Sequence, residues 1–387
     1  MLTSTQGVRA QVDGITIEDL GFQPSKFRPA DFLALLPKDP SSPPPPAQAR
    51  EMMEKVAAMY EGLRLGKAEI RNISIGTPQG TARLNAIRYT QGEFAFEGLD
   101  APAPQGQFKM ERFALKSFSM ASLVRWAANV ANPGRPPSPD QMLGLFRVLE
   151  GAEVKGVAAP YKNTRKLVTI DTLSLDWGQL VGSIPSKAHV VAKMVAPTDP
   201  ANPVQLPLTS AGIDKLAIDL DLGATWSEAA GTFALAPATL DIGNLAKAQL
   251  RVALGNVPRA VFSVDPAQLM AQAPQIEAGP IELSIRDNGG VDLVVGQFAR
   301  MQSVSRDAAR RAIIEMIRAN GDRVASANPD VATAVEAIAR FVETPGQTLT
   351  IKLTPLGKVP GMQLMQLLNT EPIVALAQFR IEASTGL

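Results

Sequence analysis

One spacing limits what this chain can fold into: apolar residues at offsets 0, 2, 5 and 7. It occurs at Ile15/Ile17/Leu20/Phe22, Ala68/Ile70/Ile73/Ile75, Phe108/Met110/Phe113/Leu115 and Val168/Ile170/Leu173/Leu175, with a stretched copy at Phe233/Leu235/Leu240/Ile242. No single face of a 3.6-residue helix carries those offsets. A period-2 strand does, if its phase is reset by one extra residue as in a β-bulge. The spacing therefore predicts long, bent strands over much of the chain.

Composition narrows the chemistry. Thirty-eight Lys and Arg against 37 Asp and Glu leave a formal charge of +1, too little to steer the chain toward a polyanion, so nucleic acid is not an expected partner. Cysteine is absent, which excludes disulfides, thiolate metal sites and cysteine nucleophiles. A single histidine, His189, leaves no basis for a multi-His metal centre. Residues Met1 to Gly14 contain no apolar run resembling an export signal, and no stretch reaches the roughly 18 apolar residues of a membrane span. Read literally this is a cytoplasmic protein; read as a mature domain whose signal has been removed, it is an exported one.

Along the chain, the Pro-rich passage Pro37 to Pro46 reads as a spacer, and apolar spacing predicts a helix over Gln48 to Leu65. Strands are expected at Ala68 to Gly76, Thr81 to Tyr89, Glu93 to Leu99 and Gln107 to Phe118. Helices follow near Ala121 to Val130 and Pro139 to Glu150, separated by the breaker Asn132 to Ser138. The segment Phe96 to Pro102 matches Val154 to Pro160, and a skip strand follows each, which reads as a duplicated module. Residues Gly212 to Val257 read as a three-strand meander, and Asp287 to Gly290 as the turn of a hairpin spanning Ile281 to Val295. Two helices are then expected, one capped by Ser305 and stopped at Asn320 and Gly321, the next opened by Asn328 and Pro329 with Val331, Val335, Ile338 and Val342 inward. A strand at Thr348 to Thr354, a helix near Met362 to Leu368 and an apolar stretch from Ile373 to Ile381 close the chain. The division expected is a β-rich module over 1–150, a repeated β module over 151–302 and a helical and strand cap over 303–387. The fold class expected is α+β, predominantly antiparallel: a long, bulged, curved sheet covered in part by amphipathic helices, with room for an elongated apolar groove.

Candidate chemistry is thin. The stretch Gly62 to Ala68 has three residues between its glycines and no hydroxyl where a phosphate loop needs one, so it reads as a helix terminus. Ser74 lacks the first glycine of a nucleophile elbow. His189 sits in an alternating run with Lys187 and Lys193 and has no acid partner placed by spacing. The pairs Asp219/Asp221 and Asp171/Asp176 read as solvated strand faces rather than calcium ligands. Arg306, Arg310, Arg311 and Arg318 mark the outer side of a helix, solvated or in contact with anionic lipid. Val359 to Ile381 is different: only Glu371 and Arg380 are charged there. Met362, Leu364, Met365, Leu368 and Phe379 in that segment, with Phe108 and Met110 of a skip strand, are the candidate contacts to an apolar ligand, the alternatives being core packing or docking on a partner.

The block Ile213 to Val257, with Leu216 to Leu222, Gly231 to Leu235, Leu240 to Gly243 and Leu250 to Val257, resembles the repeated strands of exported bacterial envelope proteins of the AsmA-like and related β-rich groups. The order of elements from Gly279 to Ile381 is similar to the C-terminal ends of such proteins. The resemblance implies a periplasmic location, a long curved sheet with an apolar concave side and a part in lipid traffic or envelope upkeep; it brings no active-site residue and no cofactor. A bent sheet with one apolar face needs helices to cover it or a ligand to fill it. The expectation is a non-enzymatic protein that binds or transfers lipid or another apolar molecule, with membrane contact peripheral at most. The alternative is a scaffold that holds a protein partner in the envelope.

Overall fold

The computed structural model describes residues 2–3, 9–26, 30, 45–77, 80–130, 136–162, 164–325 and 328–386. The Pro37 to Pro46 spacer up to residue 44, and residues 132–135 of the breaker, lie outside them. The chain divides into two compact units, Met1–Pro185 and Ser186–Leu387, and each is an open antiparallel sheet with helices.

In the first unit β1 (Leu2–Thr3), β2 (Arg9–Gln11) and β3 (Gly14–Phe22) precede a helix, α1 (Pro46–Gly62). The strands β4 (Leu63–Thr77), β5 (Gly80–Thr90), β6 (Glu93–Ala103) and β7 (Gly106–Lys116) follow as successive hairpins. After α2 (Met120–Val130) and the short α3 (Pro139–Leu143) come β8 (Gly151–Pro160) and β9 (Leu167–Val181). Sheet order follows chain order, except that β2 and β3 share the outer edge of β4. The two longer helices pack on each other through small residues, Ala57, Ala121 and Ala128 being buried, and Arg125 of α2 pairs with Glu54 and Glu61 of α1. Helix α1 runs directly into β4 at Leu63.

The phase reset takes a different form from the expected one-sided bulge. Between Arg71↔Ala86 and Ile73↔Leu84, between Ala86↔Glu97 and Leu84↔Leu99, and on through β9, each strand resets at the same register position, so neighbours keep step. That row reads Asn72, Asn85, Gly98, Glu111, Gly156, Asp171. On alternate strands its residue has positive φ: Asn72 52°, Gly98 65° and Gly156 59°. These are the residue types that enter the left-handed region at least cost. The matched segments Phe96 to Pro102 and Val154 to Pro160 thus share a structural cause, since each is a strand with its left-handed glycine in this row.

True bulges occur in the second unit, which runs β10 (Ile184–Pro197), α4 (Leu206–Ser210), β11 (Lys215–Ser227), β12 (Thr232–Ile242), β13 (Ala246–Gly255), α5 (Pro266–Gln272) and β14 (Glu277–Asp287). The expected meander is β11 to β13, with the register of β12 shifting against both neighbours around Ala236 and Pro237. Trp226 is buried at one end of it, its indole N–H donating to Val257 C=O (3.0 Å) and its ring set against Phe262.

Asp287 to Gly290 does not turn a hairpin. It leads from β14 into a helix, α6 (Gly290–Gln302). The Asp287 carboxylate, 3% exposed, accepts N–H bonds from Gly289 (3.1 Å), Val291 (2.9 Å) and Gly346 (2.9 Å), so a residue read as a turn former caps a helix and ties down the loop before the next strand. Beyond it come α7 (Arg306–Ala325), α8 (Asp330–Glu343), β15 (Thr348–Pro355), α9 (Gly361–Thr370), α10 (Pro372–Leu376) and β16 (Phe379–Gly386), and β14, β15 and β16 pair in that order.

Helix α7 runs through Gly321 instead of stopping there. A Cβ at Gly321 would lie 2.7 Å from Val335 Cγ1 and 3.0 Å from its Cβ, so the glycine admits α8 at close range. Gly321→Ala adds about 1 kcal/mol of helix propensity, yet overpacking costs about 1–3 kcal/mol. A lower thermal midpoint is therefore expected, and a higher one would mean that the two helices part without penalty. Arg310 and Arg318, read as solvated or in contact with anionic lipid, pair with Asp292 of α6 and Glu336 of α8 and link the helices together.

Candidate apolar binding surface

Because neighbours stay in step, the two faces of the first unit's sheet are sorted by chemistry. One face carries the cross-strand rows Ile73–Leu84–Leu99–Met110–Val157–Ile170, Ile70–Ile87–Phe96–Phe113–Val154–Leu173 and Ala68–Tyr89–Phe94–Leu115–Ala152–Leu175. These rows contain no charged side chain. Phe96 lies edge-on to Phe94 at 5.1 Å and 6.0 Å from Phe113, which makes an aromatic centre.

The opposite face is ionic. Arg88 meets Glu69 (2.9 Å) and Glu97 (2.6 Å), while Arg112 meets Glu97 (3.0 Å), Glu93 and Glu153 (3.8 Å). The hydrogen bond from Arg88 holds the Glu69 carboxyl below the usual carboxylate range, against a smaller opposing effect of desolvation. A recess of about 750 Å³ lies on this face, lined by Arg71, Asn72, Asn85, Arg88 and Glu111 among others.

Burial runs opposite to side-chain size. Ala86, Ala95 and Ala114 are buried beneath the stems of the long ion-paired side chains, whereas in the apolar rows Val157 alone is buried and the phenylalanines are half-covered. Leu173 and Leu175 are each 42% exposed, and Ile15, Ile17, Leu20 and Phe22 of β3 more so. Soluble monomers rarely leave a contiguous apolar surface wider than a few hundred Å².

Phe108 and Met110 belong to this face, opposite Ala101 and Leu99 of β6. The C-terminal candidates lie in the second unit. Leu364 and Phe379 are buried in a cluster with Ala278, Val359 and Ala375, where α9 and α10 close over β14 and β16. Met362 is half-buried, and Met365 (62% exposed) and Leu368 project outward. The rows contributed by β5, β6 and β8 were missed by spacing alone. Yet Leu84/Ile87, Phe96/Leu99 and Val154/Val157 carry the same two-residue gap, so the signal was present.

The remaining candidates are engaged in ordinary pairing. His189 Nε2 lies 2.6 Å from Asp221 Oδ1, Lys193 Nζ 3.2 Å from Asp219, and Lys116 Nζ 2.6 Å from Asp176. Helix α1 ends at Gly62, and Ser74 is a β4 residue paired with Arg83. Among the described residues no group of three or more His, Cys, Asp or Glu is placed to hold a metal ion, and no helix is long and apolar enough to cross a membrane.

A family model described only as "Uncharacterized protein" matches residues 239–385, from β12 to β16. No curated protein matches the chain.

Proposed function

We propose that this protein binds and carries an apolar molecule, the acyl chain of a lipid, on the partly covered apolar face of its first sheet, without catalysing a reaction, and that it does so in the bacterial periplasm. The observation that supports this reading is the set of uncharged rows from β4 to β9 whose large side chains have only partial cover. Five inter-strand spacings of ~4.8 Å make each row about 24 Å long. One leaflet of a ~30 Å hydrocarbon core takes about 15 Å, so a single row can hold an acyl chain laid across the strands. Phe96 and Phe113 at the centre, with Phe108 and Met110 toward one side, are the contacts; Met365 and Leu368 of the second unit are a further exposed apolar pair. The periplasmic placement rests on the resemblance of the Ile213 to Val257 strands.

The test is lipid mass spectrometry on protein purified from its native source, extracted with organic solvent beside a mock purification. A stoichiometric lipid with wild type, absent from a folded Phe113→Glu variant, is the expected result. Protein that is empty as purified and still empty after incubation with envelope lipids would sink the proposal.

A further inference from the structure

The last strand of the second unit presents a half-protected edge. β16 ends the strand order, so among the described residues one of its edges faces no other strand. In an antiparallel pair the N–H and C=O of a residue point the same way, and successive residues alternate. Leu356 N–H donates to Gln378 C=O (3.0 Å), which directs Arg380, Glu382 and Ser384 toward β15 and Phe379, Ile381, Ala383 and Thr385 outward.

Two outward groups are already satisfied from the start of α8. Phe379 C=O accepts from Asn328 Nδ2 (3.1 Å), and Ile381 N–H donates to Asp330 Oδ2 (3.2 Å). Past that point the capping stops: among the described residues nothing pairs with the outward groups of Ala383 and Thr385. Natural edges are usually blunted by proline, lysine, a bulge or a covering element. β16 contains neither proline nor lysine, and its eight pairs with β15 are uninterrupted.

A recess of about 490 Å³ follows the uncapped stretch, between Ala383 to Thr385 and a helix wall that includes Ala332, Thr333, Glu336 and Arg340. The small side chains on both sides let another backbone approach. Glu336 is already held by both forks of Arg318 (2.9 and 3.1 Å), while Arg340 is exposed and makes no ion pair among the described residues. A strand edge, a narrow groove and one guanidinium that acts on Glu336 through its charge but makes no ion pair of its own together describe a receptor for extended chain bearing a carboxylate.

We propose that the Ala383–Thr385 edge of β16, beside α8, docks an extended peptide of a partner protein as an added strand, with an acidic side chain of that peptide seated on Arg340. This site is independent of the lipid reading and stands or falls separately from it.

Selection of random capped peptides displayed on phage against the full-length chain tests it, with the enriched peptides resynthesised for affinity measurement. The expected peptides carry a recurring Asp or Glu within an extended sequence. Ala383→Pro, which removes one outward donor and no bond to β15, weakens them about tenfold or more. Arg340→Glu abolishes binding, and replacing the peptide's acid with Lys restores it. Should Ala383→Pro fail to fold, the charge reversal decides alone. No enrichment, enriched peptides without an acid, or equal affinity for the charge-reversed variant would overturn the proposal. So would a wild-type dimer that Ala383→Pro makes monomeric, since the occupant would then be a second copy of the chain.

Discussion

Asp287→Ala is expected to destabilise the second unit by about 3 kcal/mol or more. Its two carboxylate oxygens take three backbone N–H groups, from Gly289, Val291 and Gly346, at a site where Asp287 is 3% exposed. An N–H left without an acceptor in a partly buried site costs about 1–3 kcal/mol, and alanine leaves three. The loss also frees the start of α6 and the loop that brings β15 beside β14, so local packing around Val291 and Leu349 loosens with it. Asp287→Asn keeps one acceptor oxygen and should lose less, about 1–2 kcal/mol. Urea denaturation followed at Trp226, the only tryptophan of that unit, reads both variants. An alanine variant within 0.5 kcal/mol of wild type, roughly the scatter of a neutral surface change, would show that water replaces the carboxylate.

Gly98→Ala is the second large effect, again about 3 kcal/mol. Gly98 sits at φ 65°, where an L side chain costs roughly 1–2 kcal/mol. A Cβ there would also lie 2.5 Å from Asn85 Cγ and 2.9 Å from Asn85 Cβ, a further ~1–3 kcal/mol of overpacking. The two contributions separate in a double-mutant cycle. Asn85→Gly removes the obstructing atoms but not the φ cost, so combining it with Gly98→Ala should recover about 1–2 kcal/mol. Additive losses would show that backbone conformation alone sets the requirement. Gly156, at φ 59° with Glu111 Oε2 2.6 Å from where its Cβ would stand, should behave alike.

The strands were legible because period-2 alternation is local: each skip strand announces itself within eight residues, and the meander of β11 to β13 lies where alternation of Leu216 to Leu222 and Leu250 to Leu254 placed it. Helix ends were less legible. Gly321 reads as a stop signal by propensity, but the chain keeps it helical because Val335, fourteen residues on, needs the space. Asp287 to Gly290 has the composition of a hairpin turn, and whether such a turn reverses the chain or opens a helix depends on Gly346, whose N–H completes the carboxylate's set. The Met and Leu of the C-terminal segment looked alike in sequence; packing buried Leu364 and Phe379 and left Met365 and Leu368 outside.

By itself, then, the sequence determined that this chain makes long antiparallel strands with one uncharged side, since side-chain alternation is set by the pleat of each strand alone. It determined equally that cysteine chemistry has no part in it. Only the tertiary structure decided that the phase resets fall in one row across β4 to β9, because register is a relation between strands, and a single slip would have mixed phenylalanine with arginine on both faces. Only it decided which side is covered. Ion-paired Arg and Glu fold over a bed of alanines on one face, while among the described residues the large apolar side chains of the other keep only partial cover.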